Sequence, residues 1–280
     1  KWDVWGEKVD EWNGKGRLHV WGIPDERIVL VSAETGTGIE ELKAVIAEAA
    51  RVQEPEKRLV ADLIRPSDLV VLVIPIDKAA PKGRLILPQQ QVIRELLDVG
   101  VRMLVVRDDR LGDALDRIGE KPALVITDSQ VFREVSKITP KEVYLTSFSI
   151  LFARYKGDLK HTVQGARVLK TIKDGDNILI SEGCTHHRQC GDIGTEKLPE
   201  WIRNYTGKSP EFSFTSGTEF PQDLSPYRLI VHCGGCMLNE KEMRYRYACA
   251  QRQGIPMTNY GILIAFIHGI LERSLEIFEV

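Results

Sequence analysis

The apolar positions of this chain fall into short runs separated by amphipathic stretches. Leu69–Ile74, Val101–Val106, Ala123–Ile126 and Val143–Thr146 are runs of largely branched residues, the pattern of strands buried on both faces. Between them, Gln89–Val99, Leu111–Ile118 and Gln130–Lys137 carry apolar residues at helical spacing. In the first of these helices Val92, Ile93, Leu96 and Leu97 are expected to face inward. Strands this apolar, joined by helical crossovers, predict a parallel sheet covered by helices. From about residue 155 the pattern starts again. Leu159, Val163, Ala166, Leu169 and Ile172 make one helix face, and Asn177–Ile180 reads as a strand. Leu198–Asn204 reads as a short helix begun by Pro199. Phe212–Thr215 and Tyr227–Val231 read as strands, Met237–Gln253 as an amphipathic helix, and Ile255–Gly261 as a turn or short strand. Ile262–Leu275 is apolar on most sides, the mark of a buried helix.

Ahead of both units, Arg27–Val31 reads as a strand, Ser32–Gly38 as a glycine-rich loop, and Ile39–Val52 as a helix with Ile39, Leu42, Val45, Ile46 and Ala49 on one face. A charged linker, Gln53–Lys57, follows.

Composition narrows the function classes. The longest apolar runs are far below the roughly 18 residues that a membrane span needs, and no signal peptide is legible. A formal charge of −2, with no basic stripe, gives no footprint for nucleic acid. There are five cysteines, and four of them sit in two stretches. An odd, clustered set of this kind predicts cytoplasmic metal or cluster chemistry and not a disulfide framework.

The first stretch is Gly183-Cys184-Thr185-His186-His187-Arg188-Gln189-Cys190, just past one strand; the second is His232-Cys233-Gly234-Gly235-Cys236, just past another. The pattern is C-x-H, 45 residues, then H-C-x-x-C. Ligands gather beyond the carboxyl ends of parallel strands. If the two strands are neighbours, Cys184, Cys233 and Cys236 converge on one site. The second thiol of C-x-x-C is expected at a helix N-terminus, where backbone N–H groups stabilise negative charge.

Two chemistries fit these residues. Zinc needs four closed ligands, such as three thiolates and an imidazole. An iron–sulfur cluster takes the three thiolates and leaves one iron for another ligand. His186, His232, His187, Cys190 and Asp192 are the candidates for that fourth position; each histidine alone is as readily an orienting or surface residue. Cys249, mid-helix, reads as a small buried hydrophobe. A thioredoxin-like role for Cys233 and Cys236 leaves Cys184 and the histidines without a purpose. A hydro-lyase using the open iron would need a base and several arginines; Arg188 and Arg203, the nearest in sequence, do not form such a set.

Taken with its surroundings, the Cys/His pattern resembles the signature of the HydF family, the GTPases that mature iron-only (FeFe) hydrogenase. Pro75-Ile76-Asp77 with Pro81-Lys82-Gly83-Arg84-Leu85-Ile86, Ile126-Thr127-Asp128-Ser129-Gln130 and Gly254-Ile255-Pro256-Met257-Thr258-Asn259-Tyr260-Gly261 look like the same family. The first 52 residues resemble the end of a Ras-like G domain. Lys1 and Asp3 match the tail of its guanine-reading Asn-Lys-x-Asp motif, and Ser32 and Ala33 its last guanine-side loop. No phosphate-binding loop is legible: Gly207-Lys208-Ser209 has Ile202 where the first glycine should be, so it reads as a surface turn. GTP and Mg are therefore expected only of a longer parent, and no GTP hydrolysis of this chain.

The resemblance implies an α/β fold: two consecutive parallel-sheet α/β domains preceded by the C-terminal remnant of a Ras-like G domain. The expected divisions are a G-domain remnant at 1–52, a linker at 53–58, a dimerisation domain at 59–154 and a cluster domain at 155–280. It implies a 4Fe–4S cluster on Cys184, Cys233 and Cys236, with His186 and His232 as fourth ligand or orienting groups, and Cys190, His187 and Asp192 as weaker candidates. It implies a cytoplasmic homodimer that accepts a di-iron precursor and passes it to apo FeFe hydrogenase, with two radical-SAM enzymes upstream. Cys190 lies outside the family signature.

Overall fold

The structure is a computed structural model, and it describes residues 29–51, 57–76, 85–183 and 192–278. The chain divides into two compact units, Lys1–Lys57 and Arg58–Val280. In the first unit, helix α1 (Ile39–Arg51) follows a tight loop in which Ser32 Oγ accepts from Thr35 N at 3.2 Å. Gly38 needs to be glycine, because φ is 73° and a Cβ would lie 2.1 Å from the Leu30 carbonyl oxygen. The expected strand ahead of this loop is not seen: Val29–Val31 form none, and Arg27 and Ile28 lie outside the described residues. Lys1 and Asp3 also lie outside them.

The second unit holds two four-stranded, all-parallel sheets. In the first, β1 (Leu69–Val73), β2 (Arg102–Val106), β3 (Leu124–Thr127) and β4 (Tyr144–Ser147) lie in the order β2-β1-β3-β4. Helices α2 (Leu87–Asp98), α3 (Leu111–Arg117) and α4 (Phe132–Ile138) make the crossovers, and α5 (Phe148–Lys156) follows β4 directly. In the second, β5 (Asn177–Ser181), β6 (Glu211–Thr215), β7 (Leu229–His232) and β8 (Met257–Asn259) lie in the order β6-β5-β7-β8. Its helices are α6 (Leu159–Arg167), α7 (Leu198–Thr206), α8 (Glu240–Arg252), α9 (Tyr260–Ile267) and α10 (Leu271–Leu275). The strand order is the same in both sheets. The direction of crossing reverses after the second strand, so each sheet has a switch point between its first and third strands.

The apolar runs form the strands for the reason their composition suggests. Every residue of β1 and β3 is buried. In the second sheet, Ile178, Ile180, Leu229 and Val231 face one core, while Leu179, Ile230 and Met257 face another under α8. The first of these cores is continuous with that of the first sheet. Three polar clamps reinforce the seam. Arg273 donates to the carbonyls of Ser136, Thr139 and Pro140 at 2.7, 2.8 and 2.7 Å. Asn259 Nδ2 donates to Ser149 O at 3.1 Å. Lys156 is the third, described below. At Gly261 the two halves touch so closely that a Cβ would sit 2.2 Å from Ser149 Cβ and 2.9 Å from Ser129 Oγ.

Two local expectations are corrected. Leu97 is 61% exposed, although Val92 and Leu96 on the same helix are fully buried. The final apolar stretch is two helices, α9 and α10, because the chain turns at Gly269, where φ is 70°. Gly207-Lys208-Ser209 is the C-terminal turn of α7, with Gly207 left-handed, as expected of a surface turn. No helix among the described residues is long and apolar enough to cross a membrane.

Candidate functional site

β5 and β7 are direct parallel neighbours, with Ser181 opposite His232, and they flank the switch point of the second sheet. Gly183, the first residue of one cysteine stretch, and the other stretch from His232 leave the sheet here side by side. Gly183 is covalently joined to Cys184, and its amide donates to Cys233 Sγ at 3.0 Å. The Gly235 amide donates to the same sulfur at 3.4 Å. Backbone N–H groups aimed at a sulfur favour its thiolate form and its use as a metal ligand. A Cβ at Gly183 would lie 2.7 Å from Leu238 Cγ, so a side chain there would force Leu238 to shift. Of the paired glycines only Gly235 is required, since its φ is 61° and a Cβ would lie 2.6 Å from Met243 Sδ. Gly234 would meet nothing within 4 Å.

Cys236 does not open a helix. Helix α8 begins at Glu240, where Asn239 caps it by accepting from Glu242 N at 2.8 Å. Glu240 and Glu242 in that first turn would oppose a thiolate, so the helix dipole is not what favours one here. The nearby positive charge is Lys156 instead. This side chain is 7% exposed, and its Nζ donates to the carbonyls of Gly235, Cys236 and Leu238 at 2.9, 3.1 and 2.8 Å. Burial lowers the Lys156 pKa, and the neighbouring Cys236, Cys233 and Glu240 oppose that shift.

His232 is fully buried with both ring nitrogens engaged. Nδ1 lies 2.7 Å from the Cys233 carbonyl, and Nε2 lies 3.0 Å from Arg246 Nη1. A carbonyl only accepts and a guanidinium only donates, so the ring is neutral with its proton on Nδ1. Burial is the main reason its pKa falls to about 4; the Cys233 carbonyl opposes the fall and Arg246 adds to it. Arg246, itself fully buried, also donates to Glu242 Oε1 at 2.7 Å and Gly217 O at 2.9 Å, and it lies over the Phe220 ring. His232 thus braces the loop from the strand side. Asp192 spends one carboxylate oxygen on Thr195, accepting from its amide and its hydroxyl, both at 2.9 Å. On the other flank, Tyr260 donates to the buried Glu182 at 3.3 Å. Burial, followed by the charges of Glu182, Cys233 and Asp192, raises the Tyr260 pKa well above 10, so it keeps its proton.

Cys184, His186, His187, Cys190 and Arg188 lie outside the described residues. Among the described residues no group of three or more His, Cys, Asp or Glu is arranged to hold a metal ion. Arg203 lies over Phe212, and Cys249 is half-buried against the core under α8. The donor set present nevertheless fits a thiolate-held cluster. It has two thiols on a glycine turn, amide donors to one sulfur and a buried cation behind the loop.

Sequence reasoning passed over Lys156 and Arg246, and it gave no role to Glu182, Gly183 or Tyr260, which lie within or beside stretches it singled out. Nothing local singled out Lys156, because Arg154 already closes the run Phe148–Ala153 with a charge.

No curated protein matches the chain. Two family models do. Residues 59–157 match the hydrogen maturase F dimerization domain, and residues 160–277 match the hydrogen maturase F tetramerization domain. Both matched modules are self-association domains. In their order they cover nearly all of the second unit, so the chain belongs to the hydrogen maturase F (HydF) family and takes part in hydrogenase maturation.

Proposed function

We propose that this chain is a scaffold and carrier in the maturation of FeFe hydrogenase. Cys184, Cys233 and Cys236 hold a 4Fe–4S cluster, and the cargo is a di-iron precursor passed on to the apo-hydrogenase. When bound, the cluster supplies one iron whose remaining position is open to exchange. The chain's own residues do the rest. The Gly183 and Gly235 amides stabilise the Cys233 thiolate, and Lys156 with His232 fixes the loop. Because both nitrogens of His232 are engaged, its role in this reading is to orient the loop. His186 stays the first candidate for the fourth iron, ahead of His187, Cys190 and Asp192. The chain acts as a cytoplasmic homodimer beside two radical-SAM enzymes. GTP and Mg belong to a longer parent whose guanine side would include Lys1, Asp3, Ser32 and Ala33. The three expected divisions of the chain, 1–52, 59–154 and 155–280, carry these roles.

The observation that carries this reading is the meeting of Gly183 with Cys233 at the switch point of the second sheet. The test is iron and acid-labile sulfide in protein purified without oxygen. About four of each per chain are expected, with loss in C184S, C233S and C236S. About one zinc and no sulfide would overturn the reading and leave a structural zinc module.

A further inference from the structure

Lys156 ends α5, inside the stretch matched by the dimerization model; the three carbonyls it holds lie in the stretch matched by the tetramerization model. An ammonium has three protons, and here three convergent carbonyls take them. The stem passes Phe152, whose ring centroid is 5.2 Å from Nζ. A buried ammonium is costly unless opposite charge is close. The groups facing it that can carry negative charge are the thiols of Cys236 and Cys233 and the carboxyl group of Glu240. A neutral apolar side chain would avoid that cost but leave the three carbonyls without this donor.

We infer that Lys156 is a positioning residue for the thiol loop: its ammonium pins Gly235–Leu238 to the other half of the molecule and sets a fixed positive charge beside Cys233 and Cys236. The first role stands on the chain alone. The second rests on the proposed function. A thiolate-held cluster becomes more negative on reduction, so a fixed cation favours the reduced state and its loss lowers the potential.

The test uses the whole chain in two states. In metal-free protein, amide hydrogen exchange at residues 235–238 is expected to quicken about tenfold or more in K156M, with the amides of β5 unchanged. In anaerobically loaded protein, the cluster of K156M is expected at a lower potential than wild type, with K156R, which keeps the charge, between the two. Equal loop exchange in K156M and wild type overturns the pinning. A K156M potential equal to or above that of wild type, in a protein that holds its cluster, overturns the charge role while leaving the proposed function intact. Failure of wild type itself to take up a cluster sinks the charge role and the proposed function together, and the exchange result still decides the pinning. If K156M does not fold, wild type carries the test through the ammonium of 15N-labelled Lys156. Three hydrogen-bonded protons exchange slowly enough to give a resolved signal, and its absence overturns the proposal.

Discussion

Replacing Arg246 with Met keeps most of the stem's volume but removes the guanidinium. The wild-type group makes three bonds, to His232 Nε2, Gly217 O and Glu242 Oε1. Two of these partners differ from the third in what they can do next. Glu242 is 34% exposed and turns to water, so its loss is about 0.5 kcal/mol. His232 Nε2 and the Gly217 carbonyl are left facing an apolar side chain, at about 1–3 kcal/mol each. Against this, one buried charge no longer has to be desolvated, which returns about 1 kcal/mol. The net expectation for R246M is a loss of about 3 kcal/mol, or roughly 1 M in the urea midpoint for a unit of this size. The assay is urea unfolding of metal-free protein followed by far-UV circular dichroism. The double variant R246M/H232L removes donor and acceptor together, so it should lose less than the sum of the two single changes. A loss below about 1 kcal/mol in R246M, or strict additivity in the double variant, would refute the account of Arg246 and His232 as one buried network.

Two further outcomes are expected. In G183A the added methyl would lie 2.7 and 2.8 Å from two carbons of Leu238, so the loop must give way and the Gly183–Cys233 contact loosens. The cost is about 1–2 kcal/mol in thermal unfolding, and wild-type stability with full iron content would contradict it. Asp62 pairs with Arg154 across the sequence. Its carboxyl pKa is lowered: burial opposes the shift, but the Arg154 hydrogen bond and charge outweigh it. A depressed carboxyl stabilises the fold above its unfolded pKa of 3.8, and that contribution fades as pH drops through the folded value. D62N should therefore be about 0.5 kcal/mol less stable than wild type at pH 7, with the gap closing below pH 4; a gap independent of pH would count against the pairing.

β1 and β3 were legible because a strand buried on both faces must be written as an unbroken apolar run; the edge strands β2 and β6 were placed to within a residue but are half-exposed, and β8 was left between turn and strand. The pairing of β5 with β7 could be stated only as a condition, since nothing local in Asn177–Ser181 names its neighbour. Helix α5 escaped notice for the converse reason. It is buried at Phe148, Ile150, Leu151, Phe152, Ala153 and Lys156, so it has no polar face to give it a period. Lys156 was lost with it, because a lysine in sequence reads as solvent-facing until three carbonyls are found around it. The placement of Cys236 at a helix start failed because Asn239, three residues later, competes for the N-cap and wins with its side-chain carbonyl. Leu97 obeys the helical period and still points outward, where the described residues give it no buried neighbour face.

The single core that runs under both sheets has a mechanical consequence. Val70 and Ile126 of one half share it with Ile178, Val231 and Leu271 of the other, and Gly261 leaves no gap between them. An apolar, continuous seam resists the relative motion that separately folded modules ordinarily show. The two halves therefore act as one lever and not as two plates on a hinge. A displacement of one half thus reaches the end of α5 and, through Lys156, the carbonyls of Gly235, Cys236 and Leu238.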